Sequence, residues 1–246
     1  MTTPWFSISS GNEMKKKRKK NRSARVKWFL IKIVLSILLF TLVQVAVLKV
    51  INPFTTPNVA WEWGESIWKD DPDKRPVYIF KPIDQISPHL RRAVLAAEDQ
   101  RFLMHHGFDL KEIQQVMHRF AKDGRLRGAS TISMQTARSV FWLSSRSVVR
   151  KVVEIYYTIL IELFWDKRRI LEIYLNTVDW GTGVTGAEAA AQKYFSVSAE
   201  KLSPAQAALM TAVLPNPHQW SVRQPSPYIK KRQLKIMKEM KKMPLL

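Results

Sequence analysis

The chain has 246 residues, no cysteine, and forty lysines and arginines against twenty acids, for a formal net charge of +20. Without cysteine there is no disulfide framework, thiolate metal site or thiol nucleophile, and the charge points to an anionic partner: nucleic acid, a phospholipid surface or a phosphorylated substrate. The length suits one substantial domain with an appendage.

The first element chooses among those partners. Residues 1–32 hold ten basic side chains and one acid, Glu13. Residues 28–48 then read WFLIKIVLSILLFTLVQVAVL, with Lys32 and Gln44 as the strongly polar members. At a rise of about 1.5 Å per residue this run spans a hydrocarbon core of about 30 Å, and Lys32 lies near enough to its start to snorkel toward headgroups. The basic residues before it, Lys15 to Lys27, predict a cytoplasmic N-terminus with residues 50–246 outside. Beside a span they read as a topology signal, not a nucleic-acid arm. A cleaved signal peptide and a buried core helix are the alternatives. Lys49-Val50-Ile51-Asn52-Pro53-Phe54 lacks a small-residue cleavage pattern, which favours a retained anchor.

Residues 49–86 carry Pro53, Pro57, Pro72, Pro76 and Pro82, a spacing that predicts an irregular connection without long helices. Trp61, Trp63 and Trp68 suit either a membrane interface or packing against the domain. From Ser87 onward the pattern turns helical. Ser87-Pro88 has the form of a cap with proline at the first helical position. Leu90, Val94, Glu98 and Phe102 then recur every four residues, so a carboxylate is expected to interrupt an apolar face. Burying it is costly unless it is paired or poised for use, and desolvation would raise its pKa. Either an ion pair with Arg92, Arg101 or another base, or a catalytic role, accounts for it.

Further helices are predicted over 110–120, after Gly128-Ala129-Ser130-Thr131, over 150–165, and from Asp166 through Ile170, Leu171, Tyr174 and Leu175. Residues 176–186, with three glycines, read as a loop. Ser203-Pro204-Ala205-Gln206 has capping-box form and opens a helix to Leu214. A basic helix over 228–242 closes the chain, with Ile229, Ile236 and Met240 at helical spacings. No strand alternation or repeat stands out, so the expected class is mainly α. In Arg150-Lys151-Val152-Val153-Glu154 the cations lie four and three positions before the acid. That is either a helix-surface ion-pair cluster worth about 0.3–0.5 kcal/mol or a carboxylate set among cations that hold a diphosphate. His105 has no second histidine at a ligand spacing, so a hydrogen-bonded structural role outweighs metal ligation.

Taken together, five motifs resemble the peptidoglycan glycosyltransferase family, especially its monofunctional membrane-anchored members. They are Glu98-Asp99-x-x-Phe102-x-x-His105-x-Gly107; Gly128-x-Ser130-Thr131-Ile132-x-x-Gln135; Arg150-Lys151-x-x-Glu154; Ile170-Leu171-Glu172-x-Tyr174-Leu175-Asn176 through Gly181; and Gly186-x-Glu188-Ala189-Ala190-Ala191-x-x-Tyr194-Phe195. The resemblance implies a lysozyme-like helical glycosyltransferase domain (87–246) with a smaller membrane-facing jaw. Before it would stand a basic cytoplasmic tail (1–27), a transmembrane anchor (28–48) and a juxtamembrane segment (49–86), at the bacterial inner membrane. It implies polymerisation of lipid II and the growing lipid-linked glycan into linear strands, inverting at the donor carbon to give a β-1,4 linkage.

By the same resemblance Glu98 is the general base toward the acceptor 4-hydroxyl and Glu154 stands near the donor diphosphate. Arg138, Arg150 and Lys151 hold that diphosphate. Ser130, Thr131 and Gln135 contact substrate, and Asn176 belongs to the binding set while supporting the cleft with Glu172. No cofactor is obligatory; Mg2+ or Mn2+ at Glu154 is compatible with the pattern, and no metal residue is assigned. Membrane phospholipid and penicillin-binding or division proteins are the further partners in view, with no nucleic acid. Two positions depart from the family pattern: Met134 stands where a glutamine is usual, and Arg138-Ser139 replaces a Lys-Asn pair. A lysozyme-like hydrolase and an inactive membrane scaffold are the competing readings.

Overall fold

The computed structural model describes residues 9–71, 75–124, 128–142 and 147–246, with side chains from residue 25 onward. The side chains of Glu13 and of basic residues 15–24, and the position of Pro72, lie outside the described residues. The chain divides into two compact units, Met1–Val47 and Leu48–Leu246.

Helix α1 (Ser9–Val50) contains the apolar run, and its stretch Arg25–Val50 is long and apolar enough to cross a membrane. Trp28, Phe29, Leu39 and Phe40 are all exposed, the opposite of a core helix. In the second unit, α2 (Pro57–Trp68) occupies the stretch expected to be irregular. Pro57 stands at the helix start, where its missing N–H costs nothing, and the Thr56 hydroxyl accepts from the Val59 amide at 3.3 Å. The prolines there delimit a short helix.

Helix α3 (Pro88–Glu98) begins as Ser87-Pro88 predicts. It ends at Glu98, so Phe102 lies beyond it in a 3-10 turn, Phe102–Met104. Helix α4 (Leu110–Asp123) is capped by Asp109, which accepts from the Lys111 and Glu112 amides, and stops at left-handed Gly124. Next come α5 (Ile132–Phe141), α6 (Val148–Phe164) and α7 (Lys167–Thr177). The span read as a glycine loop contains two short strands, β2 (Asp179–Gly181) and β3 (Val184–Thr185). Strand β3 pairs antiparallel with β2 and parallel with β1 (Val77–Tyr78), in register Val77 to Val184 and Tyr78 to Thr185. Strands this short carry no readable alternation.

Helix α8 (Ala187–Phe195) follows Gly186, whose φ is +86° and whose added Cβ would lie 2.7 Å from the Asn176 carbonyl oxygen. No other residue fits there without backbone movement. Helix α9 (Pro204–Val213) opens on the predicted capping box, with Ser203 and Gln206 bonded reciprocally. Helix α10 (Pro227–Glu239) runs into a 3-10 turn, Met240–Lys242.

The core is layered by these helices: α5 packs on α6 and α7, and α3 packs on α9 and α10. Leu90, Val94, Ile132, Ile161, Leu171 and Tyr174 are fully buried within it, and the alanines of α8 and α9 allow close approach. The result is a mainly α-helical domain, as the periodicity predicts.

Candidate active site

A cavity of about 460 Å3 opens between the end of α3, the 128–131 loop, the start of α4 and one face of α10. Glu98 and Asp99 sit at its head and are turned to opposite uses. Asp99 is buried: its carboxylate accepts from His105 Nε2 at 3.0 and 3.1 Å and from the Ile132 amide at the start of α5 at 3.1 Å. A helix N-terminus favours that negative charge. His105 thereby makes the kind of hydrogen bond that a structural role implies. Gly107, at φ +87°, completes the turn; a Cβ there would lie 2.8 Å from Thr158 Cγ2.

Glu98 instead lines the cavity, with its side chain 14% exposed. It is the last residue of α3, where the helix dipole disfavours an anion, so its charge needs donors from elsewhere in the fold. Gln135 Nε2, on α5, donates to Glu98 Oε2 at 3.1 Å, and Arg232 Nη2, on α10, lies 3.7 Å from Oε1. The Tyr174 hydroxyl donates to Gln135 Oε1 at 3.4 Å, which turns the amide N–H2 toward the carboxylate. Burial, and then the neighbouring Glu98 charge, hold the Tyr174 phenol well above its ordinary pKa, so it remains a donor.

A second carboxylate lies on α6. Glu154 is buried, with Arg150 Nη1 at 2.8 Å and Lys151 Nζ at 2.5 Å on its two oxygens. The cations remain partly exposed, Lys151 more than Arg150, and the buried acid fixes both in place. Two protein cations on one carboxylate neutralise it without a metal. Arg138 is half-buried on α5, three positions from Gln135 and on the same helix face, and its charge is felt at Tyr174.

Two sequence-predicted contacts, Thr131 and Asn176, take inward roles. The Thr131 hydroxyl donates to the Gly107 carbonyl at 2.6 Å and accepts from the Met134 amide, capping α5, while neighbouring Ser130 lines the cavity. Asn176 is fully buried and does not reach the cleft. Its amide donates to the carbonyls of Lys81 and Glu172, and its oxygen accepts from the Lys81 amide, all at 2.8 Å. Glu172 accepts from the Ile83 amide, so both residues pin the 81–83 segment. Met134 is buried, 100° around α5 from Gln135. Ser139 donates back to the Gln135 carbonyl at 2.9 Å and serves the helix itself.

Among the described residues, Asp99, His105 and Asp109 have ligand atoms within 4.8 Å of one another. Asp109 already accepts from Arg101 and two amides, and Asp99 from His105 and Ile132, so hydrogen bonding accounts for the group. Arg232 is the member of the site that sequence reasoning missed. It is one cation in a basic helix, and no spacing sets it apart.

A partly exposed carboxylate, Glu98, at the head of a helical cleft, with the Arg150-Lys151-Glu154 cluster on α6, is the kind of arrangement an enzyme site offers. The chain belongs to the transglycosylase family: the family model described as Transglycosylase matches residues 70–241. Proteins named biosynthetic peptidoglycan transglycosylase are similar along most of their length. That of Chromohalobacter salexigens is 51% identical over 164 residues, covering 67% of this chain and 70% of the relative. That of Shewanella oneidensis is 42% identical over 219 residues, covering 89% and 93%. That of Aeromonas hydrophila is 44% identical over 209 residues, covering 85% and 88%.

Proposed function

We propose that this enzyme polymerises lipid II into linear peptidoglycan glycan strands at the bacterial inner membrane. The observation that carries this reading is Glu98, a carboxylate open to the cavity and held by Gln135 and Arg232, in a chain of the transglycosylase family. The acceptor 4-hydroxyl oxygen attacks the donor anomeric carbon, its proton passes to the Glu98 carboxylate, and the bond from that carbon to the undecaprenyl diphosphate oxygen breaks. Attack opposite the leaving group inverts the α linkage to β-1,4. The leaving diphosphate needs negative charge stabilised more than it needs a proton. Arg150 and Lys151, fixed by Glu154, serve that need with Arg138. Ser130 and Gln135 contact substrate, while Thr131 and Asn176 hold the cleft's frame.

The body around α3 and α7–α10 is read as the lysozyme-like lobe, and the apolar faces of α4 and α6 as the membrane-facing jaw. On α6 the residues Val148, Val152, Ile155, Ile159 and Leu163 are exposed at helical spacings, an apolar stripe suited to lipid. With α1 as a single-pass anchor and its basic end cytoplasmic, the domain from residue 87 stands outside. Phospholipid, and penicillin-binding proteins that would crosslink the product, are the partners this reading implies. The test is Glu98→Gln, which keeps the side chain's shape and removes the base. Polymerisation falls by about 10²-fold or more in protein that melts normally and still binds lipid II. Near-normal turnover in that variant would overturn the assignment.

A further inference from the structure

The C-terminal helix contributes a side chain to the chemistry, although none of the five motifs extends into it. Arg232 is held on three sides. Its helix is anchored by buried Ile229 and Ile236, and α10 packs on both α9 and α3. Gln233, its neighbour, donates to the Ala205 carbonyl at 2.8 Å. Its own Nε donates to the Ala212 carbonyl near the end of α9 at 3.1 Å. With Nε committed there, the planar guanidinium delivers Nη2 to 3.7 Å from Glu98 Oε1. A lysine keeps the positive charge but lacks the planar fork that makes both contacts at once.

We propose that Arg232 is the positioning residue for Glu98: α9 fixes its guanidinium, which keeps the carboxylate ionised and aimed into the cavity. This inference rests on Glu98 being the general base. The geometry supports this: Glu98 ends α3, where the dipole opposes its charge, and Arg232 brings a positive charge to 3.7 Å from Oε1 beside the neutral Gln135 donor.

Among the described residues, the other charged groups near Glu98 are placed as follows, with Glu112 and Arg119 lining the cavity from α4. Asp99 is turned inward to His105. Arg101 pairs with Asp109, and Tyr174 on α7 stays protonated. Arg138 lies on α5, Lys235 and Glu239 line the same cavity from α10, and the following turn carries Lys241 and Lys242. Helix α9 has no ionisable side chain.

The experiment is the pH dependence of kcat/KM for lipid II polymerisation in the full chain, with Arg232→Gln, Arg232→Met and Arg232→Lys beside the wild type. Arg232→Met keeps the buried stem, so two neutral variants are open to measurement, each checked by melting. In a folded neutral variant the acid limb moves up by about one pH unit, and much of the rate returns above it. In Arg232→Lys the limb stays near the wild-type position. A neutral variant with a wild-type acid limb and a uniform loss, or a change confined to KM, would overturn the proposal and make Arg232 a packing or substrate-binding cation. Glu98→Gln separates the two levels. If it is inactive while the limb is unmoved, only this inference falls. If it turns over normally, the general-base reading falls and takes this one with it.

Discussion

Met134→Gln distinguishes a packing residue from a weakened substrate contact. The sequence places methionine where the family usually has glutamine, and so predicts that restoring the amide tightens donor binding. The alternative is that the thioether fills an apolar gap, and the burial of Met134 favours that one. Met134 is 6% exposed on the face of α5 that packs into the domain, while Gln135 and Arg138 occupy the face toward Glu98. A flexible thioether fills such a gap well. A glutamine there buries an amide without a partner, at a cost of about 1–3 kcal/mol. In a domain of this size that lowers Tm by about 3–10 °C. Met134→Leu, nearly equal in volume, costs less than about 1.5 kcal/mol. Thermal melting and initial polymerisation rates at limiting lipid II, on the same preparations, check both numbers. A Met134→Gln protein with unchanged Tm and higher efficiency at limiting lipid II would refute the packing argument.

Three further outcomes follow from the geometry. Glu154→Gln releases Arg150 and Lys151 from a buried anion, so donor binding and turnover both fall, by about 10-fold or more; titration with lipid II separates KM from kcat, and an unchanged donor KM would refute the role. Burial, and then the charge of Asp179, raise the Glu62 carboxyl above its ordinary pKa. Its contribution to stability is therefore fully present below about 4.5 and is lost as pH rises through the folded value. Glu62→Gln should raise Tm slightly at pH 7 and leave it unchanged near pH 4; the opposite pattern in melts at the two pH values would refute this. Tags at the two ends of the chain, exposed to protease in spheroplasts, should show the C-terminal tag cut and the N-terminal tag protected; the reverse would overturn the proposed topology.

Where the determinants are local, the fold was legible. Ser87-Pro88 and Ser203-Pro204-Ala205-Gln206 are complete helix starts in four residues or fewer, and α3 and α9 begin there. The same chemistry stands at Thr56-Pro57, but the close prolines around it mask the start of α2. Strands β2 and β3 are too short to show alternation, and the parallel partner of β3, β1, comes from about a hundred residues earlier. The Leu90–Phe102 periodicity overran the helix because Asp99 leaves it for His105 and Ile132, contacts that only the assembled fold supplies.

The site shows the same division. Glu98 and the Arg150-Lys151-Glu154 triplet stand out by residue type and spacing, and the structure pairs the triplet on one helix. Thr131 and Asn176 have hydroxyl and amide groups that could meet a sugar, yet their partners are backbone groups distant in sequence. Arg232 is matched to Glu98 across more than a hundred residues, by the packing of α10 on α3 and α9, which no local pattern encodes.

The most direct test incubates the purified full chain with lipid II in detergent or vesicles and separates long glycan from hydrolysed disaccharide. The account predicts linear polymer that grows with time and undecaprenyl diphosphate as the released carrier. Wild-type protein that yields hydrolysed fragments, or that binds lipid II and forms no polymer, would contradict it.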